Sequence, residues 1–482
     1  MARTDRALAE FIRRQTRAGT VDVLEFTRLS GGAIQDNFAL SVRLSGGSHP
    51  GRLDVVVRSD APSRIAASLT RAQEFKVLGV AHRAGVTVPR PLWLCEDESV
   101  TGGVFCVMAR VAGSASPRRL LRGALDDARA RALTRQLGVE LARLHRVTPP
   151  VAELDFLPVP AGNPALARVR AYRAALEDIP EPHPVLEWAL DWLRDNAPGR
   201  SEVALCHCDF RTGNYMVDDG RLTAVLDWEF AAWSDPYEDL GWICCKSWRF
   251  GVDEREAGGL GDKADLFDGY SGETGRAVDH GLVLYWEVMG FVRWAVIALQ
   301  QAQRHLSGEQ PSLELALTGR MVPEMEFDLL NQIRRMSKPP DSARDLPQPP
   351  RLPPVQPAAS VTTNLPQGAN LLDTARRVLL DELLPAMPPE KSYEARMIAR
   401  AMAVAERELD QRDTVDRNSA LHIRAFLREA GLDAGDGEPT EATLARLLRD
   451  GAIPPQSAEA LPRLLMTLTR AKLAISNPRY LS

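Results

Sequence analysis

The 482-residue sequence has little lysine, little cysteine and no long uninterrupted apolar run. Only six of its 59 basic residues are lysine, so an arginine where chemistry commonly uses lysine partly reflects this bias. Six cysteines in so long a chain do not form a disulfide framework, which predicts a reducing, cytoplasmic location. No apolar run approaches the ~20 residues of a membrane span. The N-terminus lacks a signal-peptide core and is better interpreted as an amphipathic helix.

The charge balance is close to neutral for a chain of this size. A formal net charge of -5 gives no support for a nucleic-acid partner, because such proteins usually carry a basic domain. With 45% hydrophobic and 26% charged residues, the composition is that of a globular protein. The length predicts two or three domains and, with the absent apolar runs, no membrane partner.

The clearest boundary is a proline-rich stretch at residues 337–368. Proline this dense excludes helices and central strands and predicts an extended linker. Before it, strand patterns give way to helical patterns near Leu120. After it, the periodicity is helical almost throughout, with three candidate N-caps: Asn370, Ser392 and Thr440. This last segment predicts a helical bundle through which homo-oligomers can form.

Two short polar clusters point to chemistry. The first is "HCDFRTGN", residues 207–214, and the second is "LDWEF", residues 226–230. The pattern predicts strand, loop and strand around the first cluster, and a turn at Asp219-Gly220. This arrangement would place Asp227 beside Asp209 and Asn214. Two carboxylates and an amide offer hard oxygen atoms, which Mg²⁺ takes as ligands together with substrate phosphates.

Together, in this order and spacing, the clusters resemble the "HGDxxxxN" and acidic metal-binding motifs of the aminoglycoside phosphotransferase and choline kinase superfamily. The "SDPYEDLGW" that follows resembles the "GDPxxDLA" element of the same superfamily. The nearest branch is similar to the kinase domain fused to some acyl-CoA dehydrogenases. The resemblance covers roughly residues 24–306.

The resemblance implies an α+β, bilobal protein-kinase-like fold, with a small β-rich N-lobe and a larger helical C-lobe. We place the N-lobe in residues 1–110 and the C-lobe, with catalytic loop and metal site, in residues 111–336. The linker would occupy residues 337–368. A separate all-α domain, similar to a domain of unknown function found beside such kinases, would occupy residues 369–482.

The resemblance also implies roles for the two clusters. Asp209 would receive the proton of the acceptor hydroxyl, and Arg211 would neutralise the transferred phosphoryl group. Asn214 and Asp227 would hold Mg²⁺ against the phosphates of ATP. Three further residues would support the loop and the metal: His207, Glu229 and Asp235.

A nucleotide site would lie in the N-lobe. Gly31 and Gly32 would form a loop over the phosphates, although a plain hairpin turn accounts for them equally well. Arg58 would replace the phosphate-pairing lysine of kinases, with Glu74 as its ion-pair partner, unless the two form an ordinary surface pair. Adenine would meet backbone groups near two hinge residues: Met108 and Arg110.

Several residues in and near the clusters also suit purely structural roles. Arg211 would then form a salt bridge with Asp235 or Asp239, two acids expected to order the loop and to start a helix. Cys208 stands where the family has glycine, so its side chain either crowds the loop or requires a different φ. The cysteines near it do not have the C-x₂₋₄-C spacing of structural zinc sites, and we interpret them as packing residues.

The preferred function is therefore transfer of the γ-phosphoryl of ATP to a hydroxyl of a small molecule, with a hydroxyacyl group, as its CoA thioester, as the favoured acceptor. One alternative is a catalytically weak nucleotide-binding module whose helical tail binds a partner. Another is an amino-alcohol or aminoglycoside kinase. An amino alcohol is suggested by Trp286 and Trp294, which offer rings to a cation.

Overall fold

The computed structural model describes residues 4–29, 36–59, 68–121, 125–199, 201–337, 367–433 and 437–481. Gly31 and Gly32 of the predicted phosphate loop lie outside the described residues, as does nearly all of the predicted linker. Within the described residues, the predicted fold class is confirmed: an antiparallel N-terminal sheet is followed by a helical region and then by a second group of helices.

The N-lobe is a five-stranded antiparallel sheet with the order β1-β2-β3-β5-β4. Its strands are β1 Thr20–Arg28, β2 Asp36–Ser45, β3 Gly51–Ser59, β4 Pro91–Cys95 and β5 Phe105–Ala109. Helix α1, Thr4–Thr16, is the expected amphipathic helix and buries Leu8, Phe11 and Ile12 in the same core as the sheet. Helix α2, Arg71–Arg83, begins at a capping box formed by Thr70 and Gln73.

Within the described residues, the next region carries nine α-helices: α3 Pro117–Leu121, α4 Asp127–Leu144, α5 Pro164–Glu177, α6 Pro184–Asp195, α7 Tyr237–Cys244, α8 Lys263–Thr274, α9 His280–Leu306, α10 Leu313–Gly319 and α11 Val322–Met336. Four short strands lie between α6 and α7: β6 Ala204–Cys206, β7 Tyr215–Asp218, β8 Arg221–Val225 and β9 Ala232–Ser234.

The strands around residues 207–214 belong to two different pairs. Strand β6, which precedes this loop, pairs with β9, and β7, which follows it, pairs with β8. The predicted turn at Asp219-Gly220 is confirmed, because it joins β7 to β8. The loop therefore connects two separate two-stranded sheets, and both sheets fix its ends.

The C-terminal helices are α12 Gly368–Arg377, α13 Ser392–Glu429, α14 Glu441–Arg449 and α15 Ala460–Ser476. Thr440 is the N-cap of α14, as predicted. The N-caps predicted for the two preceding helices, Asn370 and Ser392, were wrong by three residues and one residue. Gln367 occupies the N-cap position of α12 and Lys391 that of α13.

Contacts divide the chain into two compact units. One contains Met1–Pro164 and Pro198–Glu287, and the other contains Ala165–Ala197 and Val288–Ser482. This division does not follow the boundary placed at the proline-rich stretch, because α5, α6, α10 and α11 belong to the same unit as the C-terminal helices. The reason is shared packing: α6 contacts α14, and α11 contacts α15.

Among the described helices, α9 is the one that is long and apolar enough to pass a length-and-composition test for a membrane span. However, 78% of its most apolar 18-residue stretch is buried inside the protein. Glu287 and Arg293 also lie within α9 and are buried. A core helix meets the same test, and we interpret α9 as one.

Candidate active site

One buried carboxylate holds the start of the loop at residues 207–214. Asp239, in α7, accepts the backbone N–H of His207 at 2.8 Å and that of Cys208 at 2.7 Å. Its Oδ2 also lies 3.1 Å from Nε2 of His145, whose Nδ1 lies 3.1 Å from the Tyr270 hydroxyl. Burial raises the pKa of Asp239, but the hydrogen bonds and charges of these groups outweigh burial and lower it. An ionised Asp239 therefore anchors the loop.

Cys208 adopts a left-handed backbone conformation. Its φ is 58°, and its side chain is 1% exposed. This conformation costs an L-residue roughly 1–2 kcal/mol but costs glycine nothing, which explains the glycine usual at this position in the family. Cys208 therefore follows the backbone path that the glycine would take, and its side chain is accommodated in the interior.

The His207 ring connects the two polar clusters. Nδ1 accepts the backbone N–H of Asp209 at 3.1 Å, and Nε2 donates to the carbonyl of Leu226 at 2.7 Å. These partners assign the proton of a neutral ring to Nε2. Leu226 immediately precedes Asp227, and its N–H donates to the carbonyl of Asn214 at 2.8 Å. The structure thus brings the second cluster beside the first.

Three side chains orient the Asp209 carboxylate. Oδ1 accepts from Trp242 Nε1 at 2.9 Å and from Arg211 Nε at 3.1 Å. Oδ2 accepts from Asn214 Nδ2 at 2.5 Å, and the same Nδ2 lies 2.9 Å from the Asp209 carbonyl. Because the amide nitrogen of Asn214 is used in this way, its side-chain oxygen is the atom available to a cation.

The Arg211 guanidinium lies between a carboxylate and an aromatic ring. It pairs with Asp209, and not with Asp235 or Asp239, and it stacks 4.4 Å from the centroid of Trp248. The rings of Trp248 and Trp242 lie 5.0 Å apart. Sequence reasoning missed both tryptophans. The available signal was their position shortly after the acidic motif, in "LGWICCKSW".

Arg58 joins the N-lobe to the acidic motif. Nη1 lies 2.8 Å from Glu74 Oε1, and Nη2 donates to Asp227 Oδ1 at 2.5 Å. The side chains of Arg58 and Glu74 are 9% and 6% exposed, so they do not form an ordinary surface pair. Arg71 donates to the other oxygen of Glu74. Glu74 therefore holds two guanidinium groups in the interior of the lobe.

Asp227 has the exposure and the charge of a ligand-facing acid. Its side chain is 43% exposed, and its φ of 61° is left-handed. Partial burial opposes its ionisation, but the charge and hydrogen bond of Arg58, followed by the charge of Arg211, lower the pKa of Asp227. Asp227 is thus ionised at neutral pH.

The two predicted supporting acids differ from Asp227. Burial and the charge of Asp227 raise the pKa of Glu229 to about 7, and the Glu229 carbonyl accepts the N–H of Leu69 at 2.8 Å. Burial raises the pKa of Asp235 to about 7 as well, although Asp235 accepts the N–H of Tyr237 at 2.9 Å. Asp235 therefore accepts a hydrogen bond from the first turn of α7 and stabilises the start of that helix.

The predicted hinge is partly occupied by the sheet. Met108, in β5, pairs with β3 and β4 and is 9% exposed. The N–H of Ala109 donates to the Arg90 carbonyl at 2.9 Å, and the N–H of Arg110 donates to the Asp54 carbonyl at 3.1 Å. Contacts from Met108 and Arg110 to adenine stay a prediction. The N–H groups of Ala109 and Arg110 already donate to carbonyls of the protein.

The donor set fits Mg²⁺ better than a softer metal. Asn214 and Asp227 offer oxygen atoms, which Mg²⁺ prefers. Within the described part of the chain, one mixed cluster of potential metal ligands occurs: His145, Cys206 and Asp239. Its members are buried and hydrogen-bonded, since Asp239 holds the loop and the Cys206 thiol donates to the Asp235 carbonyl at 3.4 Å. We interpret that cluster as part of the core.

A β-rich lobe, an anchored catalytic loop and an adjoining acidic motif define a phosphotransferase of the protein-kinase-like fold. The chain belongs to the phosphotransferase enzyme family (APH), whose family model matches residues 25–274, more than half of the 482 residues. A second family model, a domain of unknown function (DUF6285), matches residues 385–480. The family predicted from the two motifs is thereby confirmed.

Two known proteins are similar to part of the chain. The chain is 33% identical over 174 residues to human acyl-CoA dehydrogenase family member 11, covering 35% of this chain and 22% of that protein. It is 30% identical over 181 residues to mouse family member 10, covering 36% and 16%. The match therefore spans about a fifth of these relatives.

A solved aminoglycoside phosphotransferase-like protein from Ralstonia eutropha has the same fold. The superposition has a TM-score of 0.56 and 23% identity, and it covers 68% of this chain and 98% of that chain. The likeness concerns architecture, because identity is low.

Proposed function

We propose that the protein transfers the γ-phosphoryl of ATP to a hydroxyl group of a small molecule with the help of Mg²⁺. The observation that carries this proposal is the hydrogen-bond network of Asp209, whose carboxylate is oriented by Trp242, Arg211 and Asn214. Asp209 would take the proton of the attacking hydroxyl. Orientation of this kind is the main contribution that proteins make to phosphoryl transfer.

The neighbouring groups suit the charges of the reaction. Asn214 and Asp227 would hold Mg²⁺, which would neutralise charge on the phosphates of ATP. Arg211, stacked on Trp248, presents a guanidinium beside the base and would stabilise charge on the transferred phosphoryl. Its stacking limits the rotamers of a long side chain and so preorganises the cation.

Arg58 would pair with the ATP phosphates while Glu74 holds it in place. In the structure its second amino group contacts Asp227, so the phosphates and the metal would compete with Arg58 for this carboxylate. This contact is also what favours the alternative, a catalytically weak nucleotide-binding module. The departure at Cys208 supports the same alternative only weakly, because the loop keeps the glycine-like backbone path.

We favour a hydroxyacyl acceptor, as its CoA thioester, over a polycation. The matched relatives are named as acyl-CoA dehydrogenase family members. Three buried acids after the acidic motif are already compensated: Asp239 by the loop and His145, Glu238 by Ser234, and Glu287 by Lys263. A polycationic aminoglycoside would therefore find few unpaired carboxylates among them.

An amino-alcohol acceptor loses part of its support. Trp286 is 1% exposed and packs edge-on against Tyr285, so its ring is not presented to a cation in solution. A cytoplasmic location stays a proposal, supported by the low cysteine content of six in 482 residues. Homo-oligomer formation through the C-terminal helices also stays a prediction.

The test is an assay of ADP release with Mg·ATP and three acceptor classes: hydroxyacyl-CoA thioesters, amino alcohols and aminoglycosides. We expect stimulation by a hydroxyacyl thioester. Asp209→Asn keeps the shape of the side chain but removes the base, and should lower turnover by about 100-fold or more. Asp219→Asn, in the exposed β7–β8 turn, serves as the matched control and should behave as wild type.

Nucleotide binding must be measured in parallel by the thermal shift that Mg·ATP produces. We expect a shift of similar size in wild type, Asp209→Asn and Asp219→Asn. If nucleotide stabilises all three proteins but Asp209→Asn matches wild type with every acceptor, phosphotransfer is excluded and the nucleotide-binding module is supported.

A further inference from the structure

Two helices of the kinase region bury acids that a solvent-facing helix would leave in water. Glu187 on α6 is 1% exposed, and three acids on α11 are almost as buried: Glu324 at 9%, Glu326 at 0% and Asp328 at 8%. Burial of a carboxylate is strongly unfavourable unless a donor or an opposite charge meets it. The partners of these four acids therefore show what the two helices require.

Each of the four acids meets a donor from the C-terminal helical region. The contacts are Arg449 Nε to Glu187 at 2.5 Å, Lys472 Nζ to Glu326 at 2.8 Å, Asn477 Nδ2 to Glu324 at 2.9 Å, and the Tyr480 hydroxyl to Asp328 at 2.5 Å. Arg400 also approaches Glu324, at 3.4 Å. These donors come from four places in the sequence: α13, α14, α15 and the segment after α15.

Lys472 lies at the centre of this arrangement. Besides Glu326, it contacts Glu441 of α14 at 3.2 Å, so one ammonium group joins α11, α14 and α15. Burial would lower the pKa of Lys472, but the two carboxylates raise it, and the group stays protonated. A cation held by two acids from different helices fixes the relative positions of those helices.

The charge pattern is largely one-sided. Acids stand on α6 and α11, and the donors named above stand in the C-terminal region. Glu187 has a second, longer contact with Arg173 of α5, at 3.6 Å. One pair has the opposite sense, Arg320 with Glu408 at 3.0 Å, and both of its side chains are about a third or more exposed. Apolar residues of α11, such as Leu329 and Leu330, are buried in the same unit as Leu465 of α15. The interface thus combines an apolar core with buried, paired charges.

We propose that the domain of unknown function is an intramolecular clamp for the kinase region. It supplies cations and hydrogen-bond donors to the buried acids of α6 and α11, so these helices and the C-terminal helices form one cooperative unit. Its partner is the part of the same chain formed by α6 and α11, which carries the buried acids and the apolar residues Leu329 and Leu330. This inference does not depend on the proposed acceptor or on catalysis, because it concerns which segments unfold together.

The test uses hydrogen exchange of the full chain, followed by mass spectrometry. Lys472→Met removes the ammonium and keeps an apolar stem, which leaves Glu326 buried without its cation. We expect amide exchange in residues 322–336 of α11 to rise by 10-fold or more, together with exchange in α15. Lys391→Met is the matched control, because Lys391 pairs with Glu394 in an exposed contact, and should leave α11 unchanged.

The clamp is overturned if Lys472→Met raises exchange in α15 but not in α11, or in neither. Should this variant fail to fold, wild-type exchange in increasing urea decides the question. We expect amides of α6, α11, α14 and α15 to open at the same urea concentration. Opening of α14 and α15 at lower urea, with α6 and α11 still protected, would show an independent tail and refute the clamp.

Discussion

At the residue scale, Cys208 holds a backbone conformation that L-amino acids rarely adopt. Its φ is 58°, and its N–H donates to the buried carboxylate of Asp239 at 2.7 Å. His207, one residue earlier, donates its own N–H to the same carboxylate. Two adjacent N–H groups aimed at one anchor leave the loop little freedom, so the conformation is imposed on Cys208 by the hydrogen bonds around it.

This strain predicts an inverted order of stability between two variants. Within a helix or strand, a protein with glycine is usually less stable than one with alanine by about 0.5–1 kcal/mol, because glycine loses more backbone freedom on folding. At a left-handed position alanine carries the larger cost, so Cys208→Gly should be more stable than Cys208→Ala by about 1 kcal/mol in urea unfolding. Both variants lose the same buried sulfur, which therefore cancels in the comparison.

Cys244 provides the control for this comparison, because it is equally buried but lies in α7. There Cys244→Ala should be the more stable of the pair, as in an ordinary helix. If alanine is favoured at both positions, Cys208 does not hold the left-handed conformation.

The residues that meet in the candidate site were partly predictable. The two motifs place Asp209, Asn214 and Asp227 in one family pattern, and the structure joins them through His207 and Leu226. Trp242 was not predictable in the same way, because the partner of an indole N–H depends on tertiary packing. The partner of Arg211 was left open for the same reason, since several carboxylates lay within sequence reach.

At the scale of elements, α7 and α9 approach each other closely at Gly241. A Cβ built at this glycine would lie 2.6 Å from the Cβ of Trp286 and 2.7 Å from its backbone carbon. Neither atom belongs to a flexible side-chain end, so a methyl group there requires movement of a helix. Gly241 is followed by Trp242, which reaches Asp209, and the crossing therefore lies next to the candidate site.

Gly241→Ala should destabilise the protein by about 1–3 kcal/mol, because overpacking outweighs the better helix propensity of alanine. Gly272 of α8 is the matched control, since a Cβ there would meet nothing within 4 Å. Gly272→Ala should raise stability by up to about 1 kcal/mol. Thermal unfolding followed by circular dichroism checks both, and a rise in the melting temperature of both variants would contradict the close crossing.

Element types were easier to predict than element partners. The capping residue Thr440 was found from its local sequence, since a cap depends on the next few residues. The pairing of β6 with β9 was missed because both strands have only three residues. Strands this short carry almost no alternation pattern, so their partners are decided by packing in the whole lobe.

At the scale of the whole molecule, the proline-rich stretch suggested a boundary that contacts do not follow. Glu324, Glu326 and Asp328 of α11 are residue types that are mostly exposed in folded proteins, yet all three are buried. A sequence alone gives the charge of such residues but not the donors that meet them from about 76 to 153 positions away. The pattern of residues within one sequence does not show which residues pair over such long separations in the chain.

The pH dependence of folding is a further property of the whole molecule, and Asp235 contributes to it with a definite sign. Asp235 is 2% exposed, and this burial raises the pKa of its carboxyl from 3.8 to about 7. The folded state therefore holds a proton that the unfolded state releases at lower pH. As pH rises from about 4 to about 7, the contribution of Asp235 to the free energy of unfolding falls.

Asp235→Asn removes this titration and keeps an oxygen to accept the N–H of Tyr237, which lies 2.9 Å away. The variant should gain stability relative to wild type as pH rises, by roughly 2 kcal/mol between pH 5 and pH 8. Urea unfolding of both proteins at these two pH values measures the change. A stability difference that is the same at both would mean that Asp235 is ionised throughout, and that the polar groups at the start of α7 compensate its burial.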